Sequence, residues 1–76
     1  METALVVDAK GLRCPLPIIK AKKGVESVAV GQVVEVQCTD PGSVADFQAW
    51  AKSTGHVLVD RREEDGVYIF WIQRSR

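Results

Sequence analysis

The sequence predicts a two-layer α/β sandwich, ordered βαβαββ, with two helices on one face of a four-stranded mixed sheet. Three observations lead there. Two strand-like runs are each followed by apolar residues at three- and four-residue spacing, the pattern of a strand–helix crossover that sets strands side by side in one sheet. The last part of the chain holds two further strand-like runs joined through Asp65-Gly66, a strong short-range hairpin signal. The 76 residues, 46% of them hydrophobic, suit one small domain spanning 1–76 that buries about three-fifths of its unfolded surface. No linker, repeat or low-complexity segment interrupts them.

The first strand is read at Ala4–Asp8, from its run of apolar and β-branched residues. A loop over Ala9–Arg13 follows, in which Gly11 supplies a special backbone angle. The first helix is expected from Pro15 to about Val28, with Ile18, Ala21, Val25 and Val28 on its inner side and Ile19 beside them. Pro17 is tolerated in the first turn, Gly24 weakens the middle by about 1 kcal/mol relative to alanine, and Gly31 is the stop. Gln32–Thr39 reads as the second strand, with Val34, Val36 and Cys38 on one face. The second helix is marked by Asp40 as cap and Pro41 at the first helical position, with Val44, Phe47, Ala51 and Thr54 inside, Trp50 at the edge and Gly55 as stop. His56–Arg62 and Gly66–Gln73 are the third and fourth strands. Val67–Ile72 is apolar on both faces, although helices cover one. The outer set forms either a modest exposed patch or a surface for self-association or a partner.

Composition excludes several classes. No apolar run reaches membrane-span length, and the N-terminal residues are acidic where a signal peptide would be basic. Two cysteines, Cys14 and Cys38, make no disulfide framework, which points to a cytoplasmic protein with reduced thiols. With one histidine, they lack zinc-ligand spacing, so neither metal nor cofactor is expected. No hydrolase elbow, phosphate loop or dinucleotide fingerprint is present. His56 is read as a strand residue without a catalytic role. Net charge is zero, and the Arg61-Arg62 pair alone near the aromatic strand argues against direct nucleic-acid binding.

The charge is unevenly spread. Residues 1–23 carry net +3 from Lys10, Arg13, Lys20, Lys22 and Lys23 against Glu2 and Asp8. The lysines are either the solvated face of a helix or a docking surface for an acidic partner.

The chemistry concentrates in Gly11-Leu12-Arg13-Cys14-Pro15-Leu16-Pro17. With Pro15 as the first helical residue, Cys14 becomes the N-cap, facing unpaired N–H groups and the positive end of the helix dipole. That setting, with Arg13 and Lys10 nearby, is expected to favour thiolate over thiol. Asp8 either hydrogen-bonds its own loop or assists at the cysteine. Cys38 shares the pattern of Val34 and Val36 and is an inert core thiol, or else a resolving cysteine that pairs with Cys14 on oxidation.

The run Asp8-Ala9-Lys10-Gly11-Leu12-Arg13-Cys14-Pro15-Leu16-Pro17 resembles the DxxGLxCPxP signature of the TusA/SirA-like sulfur-carrier family. The similarity continues through Lys22-Lys23 and Asp40-Pro41-Gly42, covers essentially the whole chain and includes the βαβαββ order. The resemblance implies a protein that accepts sulfane sulfur as a persulfide on Cys14. The donor would be a cysteine desulfurase or rhodanese-like enzyme. The acceptor would be a protein of tRNA thiolation, another sulfur relay or sulfur oxidation. Such a carrier acts with a donor enzyme rather than alone, as a monomer or weak homo-oligomer. Two other classes stay open: a regulatory interaction module working through the lysine-rich helix or aromatic strand, and a thiol redox sensor using both cysteines.

Overall fold

The architecture is built around β2, Val33–Cys38, where Val34, Val36 and Cys38 alternate to one side and are all fully buried. In the computed structural model, which describes residues 2–76, five further elements surround it: β1 (Leu5–Ala9), α1 (Leu16–Glu26), α2 (Ser43–Thr54), β3 (Val57–Glu64) and β4 (Val67–Gln73). The sheet order is β1-β2-β4-β3, with β1 parallel to β2 and the other pairs antiparallel. This is the expected βαβαββ mixed sheet. Both helices lie on the face that carries Val34, Val36 and Cys38, where Ala21 and Val25 of α1 and Phe47 of α2 close the core over Phe70 and Ile72 of β4. Phe47 stacks on Phe70 at 4.5 Å between ring centres, and Trp50 meets Phe47 edge-on at 6.1 Å.

Several boundaries differ from the sequence reading, each for a local reason. The first helix begins at Leu16, so Pro15 takes the N-cap position and Cys14 stands one residue before the cap. The Leu16 N–H bonds the Arg13 carbonyl at 2.9 Å, a turn that precedes the helix and displaces its start by one residue. Pro17 falls at the second helical position and is buried. The helix ends at Glu26 instead of Val28, because the hydroxyl and N–H of Ser27 both bond the Gly24 carbonyl, at 2.7 and 3.1 Å. Gly31 is not the stop. It sits in the following loop at φ 93° and bonds the Arg74 carbonyl at 2.7 Å. Arg74 also closes the helix end itself, its guanidinium donating to the carbonyls of Glu26 and Val28 at 3.1 and 2.6 Å.

Gly24 is buried where α1 crosses β1. A methyl group there would lie 2.7 Å from Val7 Cγ2 and 3.3 Å from Leu5 Cδ2, so the glycine admits the close approach of helix and strand. The second helix starts at Ser43, behind Gly42, and neither Asp40 nor Pro41 belongs to it. The last two strands meet through Asp65 and Gly66, both at positive φ (51° and 79°), the geometry of a two-residue hairpin turn.

The two-sided apolarity of β4 follows from its place between β2 and β3. Phe70 and Ile72 are buried under the helices with Tyr68 half-buried beside them, and Val67, Ile69 and Trp71 are half-buried on the open face. Trp71 donates to Glu35 at 3.1 Å and lies under the Arg62 guanidinium at 5.6 Å. The strand therefore leaves no large exposed side chain.

Candidate functional site

Cys14 belongs to the loop between β1 and α1, and that loop is tied to the end of β2. Because β1 and β2 are parallel and paired from Leu5–Val34 to Ala9–Cys38, their outgoing loops emerge side by side. The Asp8 carboxylate accepts the Lys10 N–H at 3.0 Å, so Asp8 shapes its own loop. Gly11, at φ 80°, donates its N–H to the Thr39 hydroxyl at 2.9 Å. The N–H of Cys14 donates to Asp40 Oδ2 at 2.9 Å, and Asp40 Oδ1 accepts the N–H of Gly42 at 3.0 Å. Leu12, Arg13 and Cys14 then face Thr39, Asp40 and Pro41 across an open cleft of about 340 Å³, with the cysteine exposed.

The electrostatics reverse the expectation. The Cys14 thiol is pushed up from its ordinary value, chiefly by the Asp46 carboxylate placed to accept its hydrogen bond, then by desolvation and by the charges of Asp46 and Asp40. The physical reason is the shifted helix start: Cys14 is outside the N-cap of α1, and the neighbours it meets instead are acids from around the start of α2. The Asp40 carboxyl is held below its ordinary value, first by the Cys14 N–H, then by the Gly42 N–H, with Arg13 helping. Asp46, missed by the sequence reading, sits in the first turn of α2. The signal for it was an acid in the opening turn of a helix whose preceding loop meets the cysteine.

The basic residues are only partly gathered. Arg13 lines the cleft. Lys20 donates to the Asp8 carbonyl at 3.1 Å, at the foot of the loop, and Lys10 donates to Gln37 at 3.2 Å. Lys22 instead lines a separate cleft with Glu26, Trp50, His56 and Arg74, and Lys23 lies in the last turn of α1. His56 is part of that far end, accepting the Ser75 N–H on Nδ1 at 3.1 Å and packing against Trp50.

Cys38 has no exposed surface, and burial pushes its thiol up to about 11, the nearby Ser43 hydroxyl opposing and Asp40 adding to the shift. Both cysteines are free thiols. An alkylating reagent at neutral pH is therefore expected to modify one cysteine, Cys14, in the native protein and both after denaturation, read by intact mass. Rapid double modification of the native protein would contradict this placement. Among the described residues no cluster of histidine, cysteine and acid side chains could hold a metal ion, and no helix is long and apolar enough to cross a membrane.

Comparison with known proteins gives a consistent picture. The family model described as sulfurtransferase TusA matches residues 5–74. The sulfur carrier protein TusA of Allochromatium vinosum is 52% identical over 69 residues, covering 91% of each chain. The putative sulfur carrier protein YrkI of Bacillus subtilis is 45% identical over 75 residues, covering 99% of this chain and all of that one. The crystal structure of a SirA-like protein from Desulfitobacterium hafniense superposes with a TM-score of 0.81 at 32% identity, over 95% of this chain and 99% of the other.

Proposed function

This chain belongs to the TusA sulfurtransferase family, and from that premise we propose that it is a sulfur carrier whose Cys14 receives sulfane sulfur as a persulfide and passes it to a partner protein. The observation that carries the assignment to Cys14 is the contrast between the two thiols: Cys14 is exposed in a cleft between two loops, and Cys38 is sealed in the core.

The steps need no cofactor and no net oxidation. The Cys14 sulfur, as thiolate, attacks the outer sulfur of a donor persulfide. A bond forms between that sulfur and Cys14 while the donor's own S–S bond breaks, and the donor cysteine leaves as thiolate. The proton that Cys14 gives up has the Asp46 carboxylate as a neighbouring acceptor. In the second step an acceptor thiolate attacks the outer sulfur on Cys14, and Cys14 departs with the electron pair of the broken bond. The free energies of the two steps stay close because one S–S bond is exchanged for another each time.

The donor would be a cysteine desulfurase or a rhodanese-like enzyme, and the acceptor a protein of tRNA thiolation or of sulfur oxidation and trafficking. Family membership supports a donor and an acceptor. Arg13 at the cleft, Lys20 at the foot of the loop and Lys10 on the loop itself would help dock them, with Lys22 and Lys23 further along α1. Pro15, Pro17 and Gly11 set the backbone that presents the sulfur. The protein would work in the cytoplasm, as a monomer or weak homo-oligomer and without binding nucleic acid itself. Incubation with a cysteine desulfurase and cysteine, without reductant, is expected to add one sulfur atom to the intact mass, and reductant to remove it. Failure with both a desulfurase and a rhodanese-type donor would overturn the carrier reading.

A further inference from the structure

We propose that Asp40 is a positioning residue for Cys14, its carboxylate clamping the backbone of the cysteine to the start of α2. Its relevance to sulfur transfer rests on the carrier reading above. One carboxylate serves two loops here: Oδ2 takes the Cys14 N–H at 2.9 Å and Oδ1 takes the Gly42 N–H at 3.0 Å. Both oxygens are used, and charge-assisted bonds of this kind are stronger than neutral ones. The neighbouring ties of the cysteine loop are turns within it, Leu12 N–H to Ala9 carbonyl at 3.3 Å and Leu16 N–H to Arg13 carbonyl at 2.9 Å, together with Gly11 to Thr39. None of these fixes Cys14 itself. An exposed cysteine two residues before a helix would otherwise be free to swing with its loop.

The same carboxylate adds, behind Asp46, to the negative charge around the sulfur. The charged groups facing Cys14 are Asp46 and Asp40 from the α2 side, with Arg13 lining the same cleft. The two acids disfavour a negative charge on Sγ. Asp40 thus fixes the backbone of the cysteine and adds to the negative charge around its thiol.

The test compares wild type with Asp40→Asn and Asp40→Ala, by amide hydrogen exchange and by the pH profile of Cys14 alkylation. In Asp40→Ala the Cys14 amide is expected to exchange about tenfold faster while the core amides of β2 keep their protection. In Asp40→Asn, which keeps an oxygen acceptor but not the charge, much of the Cys14 protection should return, and alkylation at neutral pH should be about twofold faster than in wild type, since Asp46 stays in place. Unchanged Cys14 exchange and an unshifted alkylation profile in Asp40→Ala would overturn the proposal. If that variant does not fold, the Asp40→Asn profile decides, faster alkylation supporting the proposal and an unshifted profile overturning it. Both readouts use the empty protein, so they fail separately from sulfur uptake, which is measured on the same variants.

Discussion

Cys14→Ser is expected to gain no sulfur from any donor that loads the wild-type protein, a complete loss that intact-mass spectrometry reads directly. A serine hydroxyl remains protonated at neutral pH and has no sulfur with which to form the S–S bond that stores the cargo. The substitution leaves the fold alone, because the side chain is exposed and the bond to Asp40 runs through the backbone N–H. Its stability should therefore stay within about 0.5 kcal/mol of wild type. Cys38→Ala is the matching control. It opens space in the core and should cost about 1 kcal/mol or more of stability, yet load sulfur as fully as wild type. Sulfur uptake by Cys14→Ser, or its loss in a folded Cys38→Ala, would move the cargo to the buried cysteine.

Gly24→Val is expected to destabilise the protein by about 3 kcal/mol or more, and Gly24→Ala by about 1–2 kcal/mol, as measured by urea unfolding. Domains of this size hold roughly 4–11 kcal/mol in total, so the valine variant should be at the edge of folding at 37 °C. The reason is the 2.7 Å that separates an added methyl group from Val7 Cγ2, a contact that forces α1 away from β1. Helix propensity alone gives the opposite sign for alanine, a gain of about 1 kcal/mol. The two accounts are separated by the direction of one midpoint shift, and a more stable Gly24→Ala would sink the packing argument.

Gly24 also shows where a sequence stops being readable. Its place in the helix was visible, but the reason for it lies on β1, at a contact only the fold creates. What was legible has a period or a local mechanism. Val34, Val36 and Cys38 alternate as a half-covered strand must, and Asp65-Gly66 prescribes its turn. Helix starts were less legible because proline before a helix is compatible with more than one position, and here the Leu16–Arg13 turn settles it one residue later than expected. At the site, the motif singled out the right sulfur as exposed. Its charge setting was misread because the dipole argument used neighbours in sequence, whereas the nearest charged groups in space, Asp40 and Asp46, come from beyond β2. Asp40 looks in sequence like a helix cap, but its two oxygens are taken by the N–H groups of Cys14 and Gly42.

The position of β4 bears on how the molecule is made. The strand nearest the C-terminus is inserted in the middle of the sheet, between β2 and β3, and supplies Phe70 and Ile72 to the core. A growing chain that has emerged from the ribosome only as far as β3 holds the cysteine motif and both helices, but no partner for either inner strand edge, and Phe47 has no ring to stack on. The bonds that assemble the sulfur site run between the loops after β1 and β2, so that part of the chain is complete before β4 emerges, and the core beneath it closes last.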